Sequence, residues 1–189
     1  MRSLRLRLLV VRTVLGGLFV GHGAQKLFGW FGGHGPEGTG QFLEQVGVRP
    51  GRPAAIGAGA AETIGGTLMF LGFLMPVAGA SLSSVMFTAI RHVHRAKGPW
   101  VTEGGYEYNL VMLATIFAIT EAGPGRISLD AKLGTLRCGT GWAIAAIAAG
   151  AAGSELIERI SRAASTPDAA AAEAQPSADG SEAPVQAPA

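Results

Sequence analysis

From Leu8 to Trp30 the chain reads LLVVRTVLGGLFVGHGAQKLFGW, an apolar run long enough to cross a bilayer yet carrying Arg12, His22 and Lys26. Ionisable side chains are costly at membrane depth, so a spanning helix that holds three must turn them toward other helices or water rather than lipid. At about 100° per residue the three fall within one sector of roughly 80°, with His22 and Lys26 one turn apart. Gly16, Gly17, Gly21 and Gly23 lie between them, and Gly17-x-x-x-Gly21 has the spacing that admits a close neighbouring helix. This stretch predicts a tightly packed bundle with a polar interior.

Composition agrees. Hydrophobic residues make up 48% of the chain and charged residues only 15%, with 29 glycines and a mean hydropathy of +0.33, which disfavours a soluble fold. The arginines sit at segment ends rather than in a stripe with aromatics, so nucleic acid is not an expected partner. Cys138 stands alone, which excludes an internal disulfide and a thiolate metal cage, and no metal site is expected. Arg2, Arg5 and Arg7 ahead of the apolar run mimic a signal peptide. No A-x-A-type site follows a short apolar core, however, and the run continues to Phe28, Trp30 and Phe31, an aromatic end suited to a membrane interface.

Spanning helices are expected over about 6–30, 54–74, 76–94 and 106–122. After the Gly-rich stretch FGGHGPEGTG, the segment QFLEQVGV is too short to span; it reads as a helix at the interface or folded back over the bundle. Gly72 and Pro76 turn the chain between the second and third helices, and Gly123-Pro124-Gly125 ends the fourth. An Ala- and Gly-rich segment, 139–156 within 136–160, is long enough for a fifth transmembrane helix, although alanine contributes little to insertion. Residues 165–189, rich in Ala, Pro, Glu and Ser, are expected to be disordered. The fold class is thus all-α, an integral membrane antiparallel four-helix bundle over 1–135 followed by a fifth C-terminal transmembrane helix.

Depth along antiparallel helices places the polar residues. His22 lies about eight residues, ~12 Å, from the end of the first helix, and Glu62 about as far into the second. Lys26 lies one turn nearer the surface, Arg91 and His92 close the third helix, and Glu107 and Asn109 open the fourth. These seven residues form the candidate site. Arg12, about 15 Å deeper than His22, is expected to meet Glu121 at the opposite end of the fourth helix. The cluster has two readings: an ion-pair network that fixes helix order, or a site that handles protons or a quinone headgroup, for which an imidazole and a carboxylate beside an apolar cleft are the right chemical types. Haem is disfavoured, because His92 and His94 point to different sides of a helix and only His22 with His92 could pair across helices.

The series RTVLGGLFVGHGAQKLFG, ETIGGTLMFLGFLMP, AIRHVHRAKG and GPGRISLD, in that order, resembles the DoxX family of small integral membrane proteins, over roughly Leu8 to Lys132. The resemblance implies a four-helix membrane protein with DoxD relatives, linked to membrane subunits of quinone-coupled respiratory or thiosulfate-oxidising complexes and, for some members, to thiol and oxidative-stress complexes. It places His22, Lys26 and Glu62 at family motif positions. No flavin, nicotinamide or iron–sulfur motif is evident here, so the redox centres are expected in protein partners.

The sequence therefore reads as a multi-pass subunit of a quinone-linked or thiol and oxidative-stress oxidoreductase complex in the cytoplasmic membrane, whose partners are the lipid bilayer and the proteins of that complex. A small carrier or channel and a non-catalytic scaffold are the alternatives; no inverted repeat supports the carrier. Arg2, Arg5, Arg7 and Arg12 favour a cytoplasmic N-terminus, against Arg49, Arg52, Arg91, Arg95 and Lys97 on the other side. Reporter fusions at Gly35 and Gly104 are expected to read as external, and cytoplasmic signals at both would reverse the orientation.

Overall fold

A computed structural model of the protein describes residues 2–165, so nearly all of the expected disordered stretch, 166–189, lies outside the described residues. Among the described residues the fold is wholly helical. Helix α1 spans Arg2–Phe28 and stops there because Gly29, at φ 70°, takes a left-handed conformation before a 3-10 turn over Trp30–Gly32. The short helix α2, Gly35–Gln45, folds back onto α3, Gly51–Leu71. Glu44 Oε1 accepts the free Gly51 N–H at 2.9 Å, which caps the start of α3.

Gly72 ends α3 at φ 65°, its N–H bonded to the Leu68 and Met69 carbonyls, and Pro76 sits in the first turn of α4, Met75–Ala89. A π turn, Ile90–His94, prolongs α4. Helix α5 runs over Glu107–Ala122, the one-turn α6 over Leu129–Leu133 and α7 over Thr140–Ala163. The last is longer than its apolar stretch suggests. Glu155 with Arg159 and Glu158 with Arg162, each four residues apart, carry the helix on past Leu156.

Helix α1 packs along α3, while α4 is the hub, touching α3, α5 and α7. Phe19, Met69, Leu82 and Ile116 are buried where four of these helices meet. Small residues allow the α4–α7 seam: a Cβ at Gly150 would lie 2.6 Å from Ser83 Cβ, and one at Gly79 would lie 3.3 Å from Ala146 Cβ. Outside, Val10, Val14, Leu18, Ile64, Phe70, Val111 and Ile144 are exposed. Large apolar surfaces of this kind suit lipid rather than water. Three helices, Leu6–Phe28, Gly51–Leu71 and Thr140–Ala163, are long and apolar enough to cross a membrane.

The α1–α3 seam corrects one expectation. Gly17 and Gly21 face open space; the close approach runs instead through Gly16 against Gly66 and Gly23 against Gly59, seven residues apart on each antiparallel helix. A Cβ on Gly16 would sit 2.5 Å from the Gly66 carbonyl oxygen, and one on Gly23 2.7 Å from that of Gly59. The obstacles are backbone atoms, which cannot rotate away. Gly16→Ala should therefore cost about 1–3 kcal/mol of stability. Gly17→Ala and Gly21→Ala should be neutral or slightly stabilising, because alanine is the better helix former; thermal melting of the three variants in detergent separates the seam position from the two open ones.

Candidate functional site

The glycine seam brings α1 and α3 close enough for short-range polar contact between their side chains. One turn beyond Gly23, Lys26 Nζ lies 2.6 Å from Glu62 Oε2, with 25% of the lysine side chain exposed and only 4% of the glutamate. Lys26 Nζ is also 3.5 Å from the His22 carbonyl oxygen. Both residues belong to the expected polar cluster, and the structure pairs them directly. His22 differs: its ring is exposed, with Nδ1 3.1 Å from Gln25 Oε1 on the same helix, so it borders the pair from the surface.

The other candidate residues do not converge on this pair. Arg91 Nη1 bonds Glu155 Oε2 at 3.1 Å. His92 is held between α2 and α7, with Nδ1 3.2 Å from the Val46 carbonyl oxygen and Nε2 3.1 Å from Glu158 Oε2. Asn109 is buried against Met86, its amide 3.5 Å from Sδ, and Glu107 is half-buried at the start of α5. Equal depth along antiparallel helices does not ensure contact, because helices at one level can face different neighbours. The carboxylates that Arg91 and His92 meet belong to α7. Their four-residue spacing to Arg159 and Arg162 is a sequence signal for a charged helix end that runs on beyond the apolar stretch 139–156.

Arg12 also departs from expectation. It is buried, 2% exposed, and donates to the carbonyl oxygens of Phe70 and Ile127, with that of Met69 at 3.4 Å. Glu121 instead accepts the Thr140 hydroxyl at 2.7 Å. A guanidinium at the C-terminus of α3 satisfies carbonyls that the helix leaves unpaired and matches the helix dipole. The same end receives the segment that follows α5, since Asp130 N–H bonds the Gly72 carbonyl oxygen at 3.0 Å. Arg12 thereby ties α1, α3 and the approach to α6 together.

A family model described as DoxX matches residues 7–95, from the start of α1 through the π turn. The chain belongs to the DoxX family. A Bacillus subtilis (strain 168) protein named "Putative oxidoreductase CatD" is 30% identical over 119 residues, 63% of this chain and 82% of that relative. No solved structure matches the chain. Within the DoxX span fall Arg12, His22, Lys26, Glu62, Arg91 and His92; Glu107, Asn109, Glu121 and the carboxylates of α7 lie beyond it.

Removing one member of a buried ion pair strands the other, which sets the test of Lys26 and Glu62. Glu62→Gln and Lys26→Met should each cost about 3 kcal/mol, the low end of the range for buried pairs, because Lys26 keeps a quarter of its surface exposed. The double variant should regain part of the loss, since no uncompensated charge remains. Strictly additive losses in detergent melting would rule out direct coupling.

Proposed function

We propose that this DoxX protein is a five-crossing subunit of an oxidoreductase complex in the cytoplasmic membrane, with a cytoplasmic N-terminus, and that Lys26 and Glu62 handle protons for a quinone-linked reaction. The observation that carries the reading is the graded exposure of neighbouring ionisable groups. His22 lies at the surface, Lys26 is one-quarter exposed and Glu62 is buried in the α1–α3 seam. Such a series can pass a proton between the helix surface and an apolar interior, using groups whose charges stabilise one another. Membership of the DoxX family and the printed name of the Bacillus relative support a redox assembly.

Chain connectivity supports five crossings. Helix α4 with its π turn is twenty residues long, 75–94, and α5 is sixteen, and the two lie in the chain between α3 and α7, both of spanning length. Gly139 N–H bonds the Glu121 carbonyl oxygen at one end of α7, and Arg49 N–H bonds Ser161 Oγ at the other. In this reading α7 returns across the membrane and its C-terminus lies on the side of the α2 loop. A thiol or oxidative-stress complex is the variant of the reading in which electrons come from a thiol partner.

Purification from native membranes with mass spectrometry identifies the partners, and a quinone-reduction assay on the purified complex tests the site. The Glu62→Gln, Lys26→Met double variant should fold and assemble but lose at least tenfold in quinone-linked activity. Full activity in that assembled variant would leave the pair a purely structural role.

A further inference from the structure

A cleft of about 200 Å3 lies between the end of α4 and α7, lined by Phe87, Ile90, Arg91, Arg95, Ala151 and Ser154. Its walls differ in chemistry. Phe87, Ile90 and Ala151 are apolar, whereas Arg91 and Arg95 bring two guanidinium groups to one wall. They are four residues apart on a stretch where the α-helix gives way to a π turn and then a 3-10 turn. Single π turns within helices recur at functional sites.

Two features of the cleft lack a partner. Ser154 is 1% exposed, and its Oγ has no hydrogen-bond partner among the described residues. A buried hydroxyl left unpaired is costly. Arg95 makes no ion pair or side-chain hydrogen bond among the described residues, although Arg91 and Arg159 share Glu155, and Arg162 is paired with Glu158. Around the cleft, two carboxylates thus stand against four guanidinium groups, and the local field is positive.

We propose that this cleft binds a phosphate-type oxyanion, held by the Arg95 guanidinium and the Ser154 hydroxyl with Arg91 as a second cation. The planar fork of arginine suits a tetrahedral oxyanion, and the serine supplies one further donor. The volume admits the oxyanion with a few attached atoms, and the apolar wall suits a glycerol or acyl stem. A lipid phosphate headgroup and free phosphate share this chemistry.

Full-length protein in a non-ionic maltoside detergent is titrated with inorganic phosphate and, separately, with a short-chain phosphatidic acid, and binding is read by calorimetry and thermal melting. Both probes stand or fall on the same residues. Arg95→Gln should weaken binding about tenfold or more, as loss of a charge-assisted hydrogen bond does, and Ser154→Ala should weaken it by less. Arg95 is exposed, so its replacement leaves the bundle intact. Arg52→Gln, which removes an exposed cation paired with Glu37, should leave binding unchanged. Affinity at least tenfold tighter for phosphatidic acid assigns the cleft to lipid; equal affinity assigns it to the free anion. The proposal is overturned if neither probe binds, if Arg95→Gln binds like the parent protein, or if Arg52→Gln weakens binding as much as Arg95→Gln.

Discussion

The two cations that α1 turns toward α3, Arg12 and Lys26, both depend on how closely the backbones of the two helices approach. At Gly16 and Gly66, and again at Gly23 and Gly59, there is no room for a Cβ between the two helices. That contact puts Lys26 beside Glu62 at one end of the seam and Arg12 against the last carbonyls of α3 at the other. An apolar spacer would have widened the gap and left both cations to find other partners. In a setting without water, where helix association cannot rely on the hydrophobic effect, close packing of small residues and the polar contacts it permits hold the helices together.

The second seam, α4 against α7, follows the same rule with different residues. Ser83, Ser84 and Gly79 meet Gly150, Gly153 and Ala146, so a helix poor in large side chains becomes a good neighbour for the hub helix. Its charged end then supplies the acceptors for Arg91 and the carboxylate beside His92. The α2 loop closes over this end through Val46 and Arg49. The DoxX match stops at residue 95, so the partners of its last charged residues come from the part of the chain that lies outside it.

The two ends of the bundle carry different chemistry. At the end where α1 begins, a single buried guanidinium satisfies backbone carbonyls from two segments, and Asp130 is buried with its Oδ1 bonded to the Thr135 hydroxyl. These are fixed contacts that close helix ends. Where α1 finishes, ionisable side chains from α1, α3, α4 and α7 are paired with one another and partly open to the surface, which leaves them free to respond to a ligand or a proton. The exposed rings of Phe28, Trp30, Phe31 and Trp100 lie at the end of α1 and in the connections at that end, as aromatic residues do at membrane interfaces.

Local pattern was enough to reveal the helices, their membrane character and the family, because long apolar runs, glycine stops and proline starts act within a few residues of themselves. Lys26 and Glu62 stood out as rare charges in apolar helices at similar depth, but their direct contact, to the exclusion of the other polar residues at that level, came from the packing of α1 on α3. What only the tertiary structure decided was rotation and reach. Gly16 and Gly17 differ by about 100° around α1, and only packing against α3 shows which of them is covered. Arg12 found backbone carbonyls, acceptors that every residue possesses and that no sequence pattern singles out, while Arg91 found Glu155 in a helix sixty-four residues away. Periodicity specifies which side chains share a face; it cannot say which neighbour that face will meet, because the choice depends on how whole helices pack.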